Sequence, residues 1–371
     1  MQRSVLLAEL PSLNVRRGMP LPWDVHDPDG QLLLARGQVL ANDAVLDTLI
    51  ARGGSIRLLD AAPAAPSVPL PKPLSVRYTS LKRSLAWLLT HPDEPVFLDR
   101  IRQTANVIAE LSERDVDQLI FLIIRHDYLR FAVYGSAHSL HVATVCSILA
   151  HRLGWPRARH LQLLCAALTM NLSIIELQGV LAGRVAPLTA AHRAEIQAHP
   201  AASAAMLRAR GLSDEDWLAA VEQHHEEPGG KGYPLGMPSP TEDAQMLRFA
   251  DQFTAKHAWR ADRGVVPAQQ VARELYTQSQ GHPLAALLIK EFGIFPPGCF
   301  VQLASGEAAV VVRRGPVANS PVVAALIASN GDTLAQPMMR NSAEPANFIV
   351  ATLDERTVLA HVSLDTLYAL G

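Results

Sequence analysis

The stretch HHEEPGGKGYPLG at residues 224–236 decides where this sequence places its chemistry. Its first four residues, 224–227, are the last four of the segment DEDWLAAVEQHHEE (214–227). The apolar residues of that segment recur every three to four positions and predict a helix. A glycine-rich loop then stops that helix. Two adjacent histidines at such a helix end are either core residues with backbone partners or metal ligands, and neighbouring helices must supply the further ligands of a metal.

Segments with the same helical period lie on both sides of this stretch, from about residue 76 to residue 298. Many consecutive helices joined by short loops favour a helical bundle over alternating strands and helices, so the fold class is mainly α. The other predicted helices cover residues 80–91, 97–113, 115–126, 136–154, 158–177, 189–210, 243–260 and 267–278.

The two ends of the chain have different patterns. Residues 1–60 predict a small α+β module, with a helix at 42–53 begun by Asn42 and a strand at 56–60. Five prolines within 61–75 predict a semi-rigid linker ahead of the helical domain at 76–298. Residues 299–371 predict a short β appendage, in which Asn330-Gly331 is a hairpin turn signal.

Composition excludes several classes of protein. The chain has 33 Lys and Arg against 35 Asp and Glu, so no net charge attracts nucleic acid, and a site for a polyanion must be a local cluster. No uncharged apolar run is long enough to predict a membrane span or a signal peptide, which favours a cytoplasmic protein. The three cysteines are far apart in apolar runs and predict buried free thiols.

Five polar residues on otherwise apolar helices are the candidate metal ligands. A single histidine in such a position is usually a core residue with a backbone partner, whereas several on successive helices can converge on one metal. Spacing alone leaves both alternatives open. The five residues are His138, His199, His224, His225 and Asp251.

The loop at 224–236 resembles the HHE…GYP signature of the HD-GYP family. Gly230, Gly232, Tyr233 and Pro234 fall in register with that signature. Weaker similarities occur in the family's order, and residues 1–60 resemble a small N-terminal module often found ahead of this domain, so the resemblance covers nearly the whole chain. The weaker similarities are AHSLHVA (137–143), AHP (198–200), FADQFTA (249–255) and FGIFPPGCFVQLASGEAAVVV (292–312).

The resemblance implies a helical domain of the HD superfamily that hydrolyses cyclic di-GMP at a two- or three-metal centre. In that family an HD aspartate bridges the metals, the HD histidine is a ligand, and a lysine three residues after the aspartate contacts the phosphate. Here Met170, Asn171 and Ile174 stand at those three positions. Further departures from the family pattern are Tyr134, Ser173, Gly229 and Thr254.

The resemblance also assigns residues to the binding of the ligand. Arg260 and Arg263 match basic positions of the family, and Lys231 adds a cation to the loop of Gly232, Tyr233 and Pro234. Arginine suits bidentate contacts with phosphate, although a solvated charged surface explains these residues as well.

Three hypotheses follow. The preferred one is a catalytically impaired HD-GYP protein that binds cyclic di-GMP or presents the GYP loop to a signalling partner such as a GGDEF-type cyclase. A homodimer of this chain is the expected oligomeric state. The second is an active phosphodiesterase with an altered, mononuclear centre. The third is a pure interaction module like the HDOD proteins. The expected cofactor is one transition metal (Fe, Mn or Zn), held by the surviving histidines and Asp251, or none.

Overall fold

The chain divides into two compact units, residues 1–71 and residues 72–371. The division falls inside the predicted linker at 61–75. This computed structural model describes residues 2–6, 25–27, 29, 31–34, 38, 55–59, 73–125, 131–258, 261, 266–317, 319–354, 358 and 364–368.

The first unit contains a four-stranded sheet in the order β1-β4-β2-β3. Its strands are β1 (Gln2–Leu6), β2 (Val25–His26), β3 (Leu32–Leu34) and β4 (Ser55–Leu59). The β2-β3 hairpin closes where the Asp27 N–H donates to the carbonyl of Gln31, at the predicted turn. The helix predicted at 42–53 lies outside the described residues.

The second unit is mainly helical, as the sequence predicts. Its helices are α1 (Leu74–Thr90), α2 (Phe97–Arg114), α3 (Val116–Ile124), α4 (Tyr134–Arg152), α5 (Arg157–Thr169), α6 (Ile175–Ala182), α7 (Ala190–Ala209), α8 (Glu215–Gln223), α9 (Glu242–His257), α10 (Ala268–Gln278), α11 (Pro283–Phe292) and α12 (Leu364–Tyr368). The sequence analysis had not predicted α11, which begins with Pro283 in its first turn.

Helix α4 is the centre of the helical core. All but its last two residues are buried, and α1, α2, α5 and α9 pack around it. Three of the other helices, α3, α8 and α9, begin at side-chain caps, which are Asp115, Asp214 and Thr241. One continuous apolar cluster therefore fixes the positions of every helix that carries a candidate ligand.

The single helix predicted at 158–177 was wrong, because the chain breaks after Thr169. A turn at Met170 and Asn171 and a 3-10 turn at Leu172–Ile174 separate α5 from α6. The break is held by tertiary hydrogen bonds: the Ser173 hydroxyl donates to the carbonyl of His199 at 3.2 Å, and Trp217 donates to the Thr169 hydroxyl at 2.9 Å. Such contacts override a continuous apolar period.

The C-terminal part forms a five-stranded antiparallel sheet in the order β8-β7-β6-β5-β9. Gly331, at φ 90°, lies in the predicted turn between β7 and β8. Ion pairs of Arg313 with Asp115 and of Arg314 with Asp117 attach the sheet to α3. The strands are β5 (Phe300–Leu303), β6 (Ala308–Arg313), β7 (Val322–Ile327), β8 (Thr333–Asn341) and β9 (Ile349–Thr352).

One helical stretch, Arg157–Ala182, is long and apolar enough to cross a membrane by length and composition alone. It consists of α5, the 3-10 turn and α6, and 67% of its most apolar window is buried inside the protein. Core helices pass the same test, so this stretch is weak support for a span, and the expected absence of one stays a prediction.

Candidate functional site

Three histidines form the centre of the site, one from the middle of α7 and two from the C-terminal end of α8. One ring nitrogen from each of His199, His224 and His225 lies within 4.8 Å of the other two. His199 and His224 are buried and His225 is half-buried. The sequence pattern had grouped these three residues, and the fold brings them together.

His199 is oriented by the proline that follows it. Pro200 lies inside α7 and has no N–H, so the carbonyl of Ile196 lacks its usual helical donor. The Nδ1–H of His199 donates to that carbonyl at 2.5 Å. The His-Pro pair therefore fixes the ring and leaves the Nε2 lone pair free.

His224 is oriented in a similar way by the end of α8. The last carbonyls of a helix have no intrahelical donor. Here the Nδ1–H of His224 donates to the carbonyl of Val221 at 2.6 Å. Its Nε2 lies 3.0 Å from the Nε2 of His199. Since both Nδ1 atoms are donors to carbonyls, two acceptor lone pairs face each other, and only a cation between them removes the repulsion.

The distances fit a metal ion as that cation. A zinc–imidazole bond of about 2.0–2.1 Å at angles between 90° and 109° separates two ligand nitrogens by about 2.9–3.4 Å, which includes the observed 3.0 Å. The donor set of three imidazoles is one that zinc, iron and other borderline dications accept. The three histidines therefore form a candidate site for one metal ion.

Burial keeps these histidines in the form that binds a metal. Desolvation, and then the neighbouring His224, lowers the pKa of His199 to about 3. Desolvation also lowers the pKa of His224 and, with the other two histidines, that of His225. All three rings are thus neutral near pH 7, and neutral imidazole is the coordinating species.

His138 and Asp251, the other two candidate ligands, are bonded to each other. The Nε2 of His138 on α4 lies 2.7 Å from a carboxylate oxygen of Asp251 on α9. Burial raises the pKa of Asp251, but the hydrogen bond with His138 and the charges of His138, His225 and His224 together lower it by more. The pKa therefore lies below its usual value, and the carboxyl is ionised. Both residues border the same cleft as His199 and His225.

The loop after His225 is held by a buried carboxylate. Glu226 is 1% exposed and accepts the backbone N–H groups of Leu235 at 2.7 Å and Met237 at 2.9 Å. A side chain at Gly232 would meet the backbone of Glu226 at 2.4 Å, so only glycine fits there. Tyr233 stacks on His225 with ring centroids 4.5 Å apart. The loop thus supports the metal-facing ring from behind.

These groups open into a cleft of about 580 Å³. We call His199, His224, His225, Glu226 and Tyr233 the histidine wall. A second group of lining residues, which we call the amide wall, consists of Asn171, Ile174, Gln178 and Leu181 at the 3-10 turn and α6. Their spacing of three and four places them on one helical face. The mouth is formed by exposed apolar residues that include Val185, Pro187 and Leu188.

Met170, Asn171 and Ile174, which stand where the resemblance expects the family's HD residues and lysine, differ in whether they line the cleft. Met170 is fully buried in the apolar core and does not line the cleft. Asn171 and Ile174 do line it and are 2% and 8% exposed. The position of the bridging carboxylate is therefore an uncharged amide, and the position of the lysine is an apolar wall.

Only one of the predicted ligand-binding residues that the structure describes lines the cleft, namely Tyr233. Lys231 and Pro234 are exposed, and Gly232 packs against the backbone of its own loop. These three residues do not line the cleft, and their role in ligand binding stays a prediction. Arg260 and Arg263 lie outside the described residues.

Sequence reasoning missed three residues of the site. Arg184 is the one Lys or Arg among the described residues that line the cleft, and Gln178 belongs to the amide wall. Glu226 holds the loop. The acidic residue in the HHE signature was a signal for Glu226, whereas Arg184 follows an unrecognised break between helices and had none.

The sequence matches the HD domain family over residues 101–281. The chain therefore carries an HD domain at these residues. Its match includes every candidate metal ligand and both walls of the cleft. No curated protein is significantly similar to the chain in sequence.

This HD-domain protein is also similar in fold to a solved structure described as an HDG"Y"P protein from Bdellovibrio bacteriovorus. The two share 15% identity at a TM-score of 0.50, over 77% of this chain and 97% of the other. At that identity the likeness concerns the fold. With the Gly-Tyr-Pro loop at 232–234 it supports assignment to the HD-GYP branch of the family.

Proposed function

We propose that this HD-domain protein binds cyclic di-GMP in its cleft without hydrolysing it and acts in signalling through that bound state. The observation that carries the proposal is the contrast across the cleft. The histidine wall retains a full set of ligands for one metal, while the amide wall has lost the bridging carboxylate and the cation.

The charges disfavour a dinuclear hydrolytic centre. Two dications about 4 Å apart repel by roughly 16 kcal/mol at an effective dielectric of 20, so a bridging anion is needed between them. Among the described residues that line the cleft, Asp251 is the one carboxylate, and it is already bonded to His138. A single metal on His199, His224 and His225 avoids this repulsion.

The same cleft suits a dinucleotide. Its volume of about 580 Å³ lies within the range of small-molecule sites. A metal dication and Arg184 would offset the two negative charges of cyclic di-GMP, and the metal would supply a Lewis acid toward a phosphate oxygen. The chain's own residues bind and orient: Tyr233 and the apolar mouth offer surfaces for the bases.

We propose zinc or iron as the metal because imidazole suits both. Manganese, the third expected metal, prefers oxygen ligands and fits three imidazoles less well. The test combines three measurements on the full chain: metal content after purification, calorimetric titration with cyclic di-GMP, and hydrolysis with added manganese or iron. We expect about one equivalent of metal, binding and no turnover. Hydrolysis of cyclic di-GMP by the wild type, absent from His224→Ala, would contradict the proposal.

An active phosphodiesterase with a mononuclear centre is the second candidate. Three protein ligands leave a fourth position for water, as in catalytic zinc sites. In the same assay this candidate predicts turnover that scales with the metal content and disappears with chelator.

We further propose that a protein partner, such as a GGDEF-type cyclase, docks on the GYP loop. The loop is fixed by Glu226 and presents Leu235, whose side chain is 76% exposed. Leu235→Ser should abolish co-purification with such a cyclase and leave dinucleotide binding unchanged.

A further inference from the structure

The amide wall contains two buried polar atoms that the protein itself does not satisfy. The Nδ2 of Asn171 and the Oε1 of Gln178 have no hydrogen-bond partner among the described residues. Both side chains line the cleft, and Asn171 is 2% exposed. A buried polar group without a partner is costly, so such atoms indicate a ligand or ordered water that completes them.

Asn171 lines the same cleft as groups that attract an anion. Candidate metal ligands His199 and His225 line that cleft, and so does Arg184. The Nδ2 group of an amide is a donor and has no lone pair for a metal. It therefore suits an oxygen with negative charge that the metal and Arg184 also attract.

We infer that Asn171 is a specificity-determining residue that donates a hydrogen bond from Nδ2 to a phosphodiester oxygen of the ligand. The inference rests on the proposed function, because it names the group of cyclic di-GMP that the amide wall contacts. An aspartate at this position accepts only, and its charge repels a phosphate unless a second metal lies between them. The amide instead turns this position into part of the phosphate site.

Ile174 strengthens this hydrogen bond. It is 8% exposed and lies one turn beyond Asn171 on the same face. An apolar neighbour excludes water from the contact, and a hydrogen bond to a charged oxygen is stronger where water is excluded. The absence of a lysine at this position is therefore compatible with phosphate binding.

The test uses the full chain in two states, treated with chelator and loaded with one equivalent of zinc. Calorimetry measures the affinity for cyclic di-GMP in wild type, Asn171→Ala, Asn171→Asp and Asn106→Asp. The last is a matched charge change on α2, where Asn106 donates to the carbonyl of Arg102 outside the cleft. Thermal unfolding of each variant checks that it is folded.

We expect Asn171→Ala to weaken binding roughly ten-fold, as the loss of a hydrogen bond to a charged group does. Asn171→Asp should weaken it on the order of a hundred-fold in the chelator-treated protein, because repulsion is added to the lost donor. Zinc affinity should be unchanged in Asn171→Ala and equal or higher in Asn171→Asp. Asn106→Asp should match the wild type in both measurements.

The outcomes separate this inference from the proposed function. A wild type that does not bind cyclic di-GMP removes the proposed function itself. A wild type that binds, with an Asn171→Ala variant of equal affinity, overturns the inference alone. A loss of zinc affinity in Asn171→Ala with unchanged dinucleotide affinity would assign the amide to the metal and would also overturn it.

Discussion

The two walls of the cleft differ in how completely the protein satisfies them. On the histidine wall, His199 and His224 have carbonyl partners for Nδ1, and Glu226 accepts two backbone N–H groups. On the amide wall, Asn171 and Gln178 each have a buried polar atom without a partner among the described residues. One wall is therefore organised in advance, and the other is completed by what enters the cleft.

The comparison also separates two kinds of loss within the altered segment. Met170 lies in the apolar core and does not line the cleft. Asn171 and Ile174 still face the cleft and changed only its chemistry. A change of residue at these positions therefore does not require loss of the pocket, and each wall can be tested by itself.

The largest effect is expected for His224→Ala on the histidine wall. Loss of a direct ligand should lower zinc affinity by more than the roughly 100-fold that loss of an outer-shell partner costs. Competition with a chromogenic chelator measures this affinity. His160→Ala is the matched control, since His160 is a buried histidine paired with Ser147 and does not line the cleft. Unchanged zinc affinity in His224→Ala would show that the cluster is not a metal site.

Glu226→Ala should have the next largest effect, and this effect is on stability. It removes a buried charged acceptor and leaves two backbone N–H groups unpaired, which should lower the free energy of unfolding by about 3 kcal/mol. Gln178→Ala on the amide wall removes an atom that has no partner, so we expect less than about 1 kcal/mol. Urea denaturation of the metal-free variants measures both. Equal losses would remove the distinction between the walls.

Acid should destabilise the metal-free protein through its buried histidines. The folded pKa of His199 is about 3, while an unfolded histidine titrates near 6.5, so the unfolded chain takes up protons first as the pH falls. This linkage lowers stability by about 2 kcal/mol at pH 5 relative to pH 8. Stability from this source is full above pH 6.5 and is lost toward pH 3.

His160 serves as an internal comparison for the acid effect. Burial, followed by the charge of Arg157, lowers its pKa to about 4, so it contributes a similar loss outside the cleft. Urea denaturation at pH 8 and pH 5 should show that His199→Gln removes the contribution of His199, about 2 kcal/mol, while those of His160, His224 and His225 remain. The uncharged amide wall should contribute none, and a pH dependence unaffected by His199→Gln would contradict this assignment.

Some parts of the site could be predicted because the signal is local. The apolar period gave most helices, the glycines of the loop marked its turn, and the helix-borne histidines stood out on apolar faces. The break after Thr169 could not be predicted in this way, since the segment keeps its apolar character and contains no proline. Partners distant in sequence, such as Ser203 and Trp217, decide it.

By itself, the sequence determined the helical class. It also predicted the histidines as candidate ligands and, through the resemblance, placed Asn171 at the position of the bridging carboxylate. Those features depend on residue type and short spacing. Only the tertiary structure decided that the Nε2 atoms of His199 and His224 lie 3.0 Å apart. It also decided that Met170 packs in the core and that Arg184 lines the cleft. Such arrangements depend on how helices far apart in the chain pack, and a one-residue rotation of a helix would change each of them.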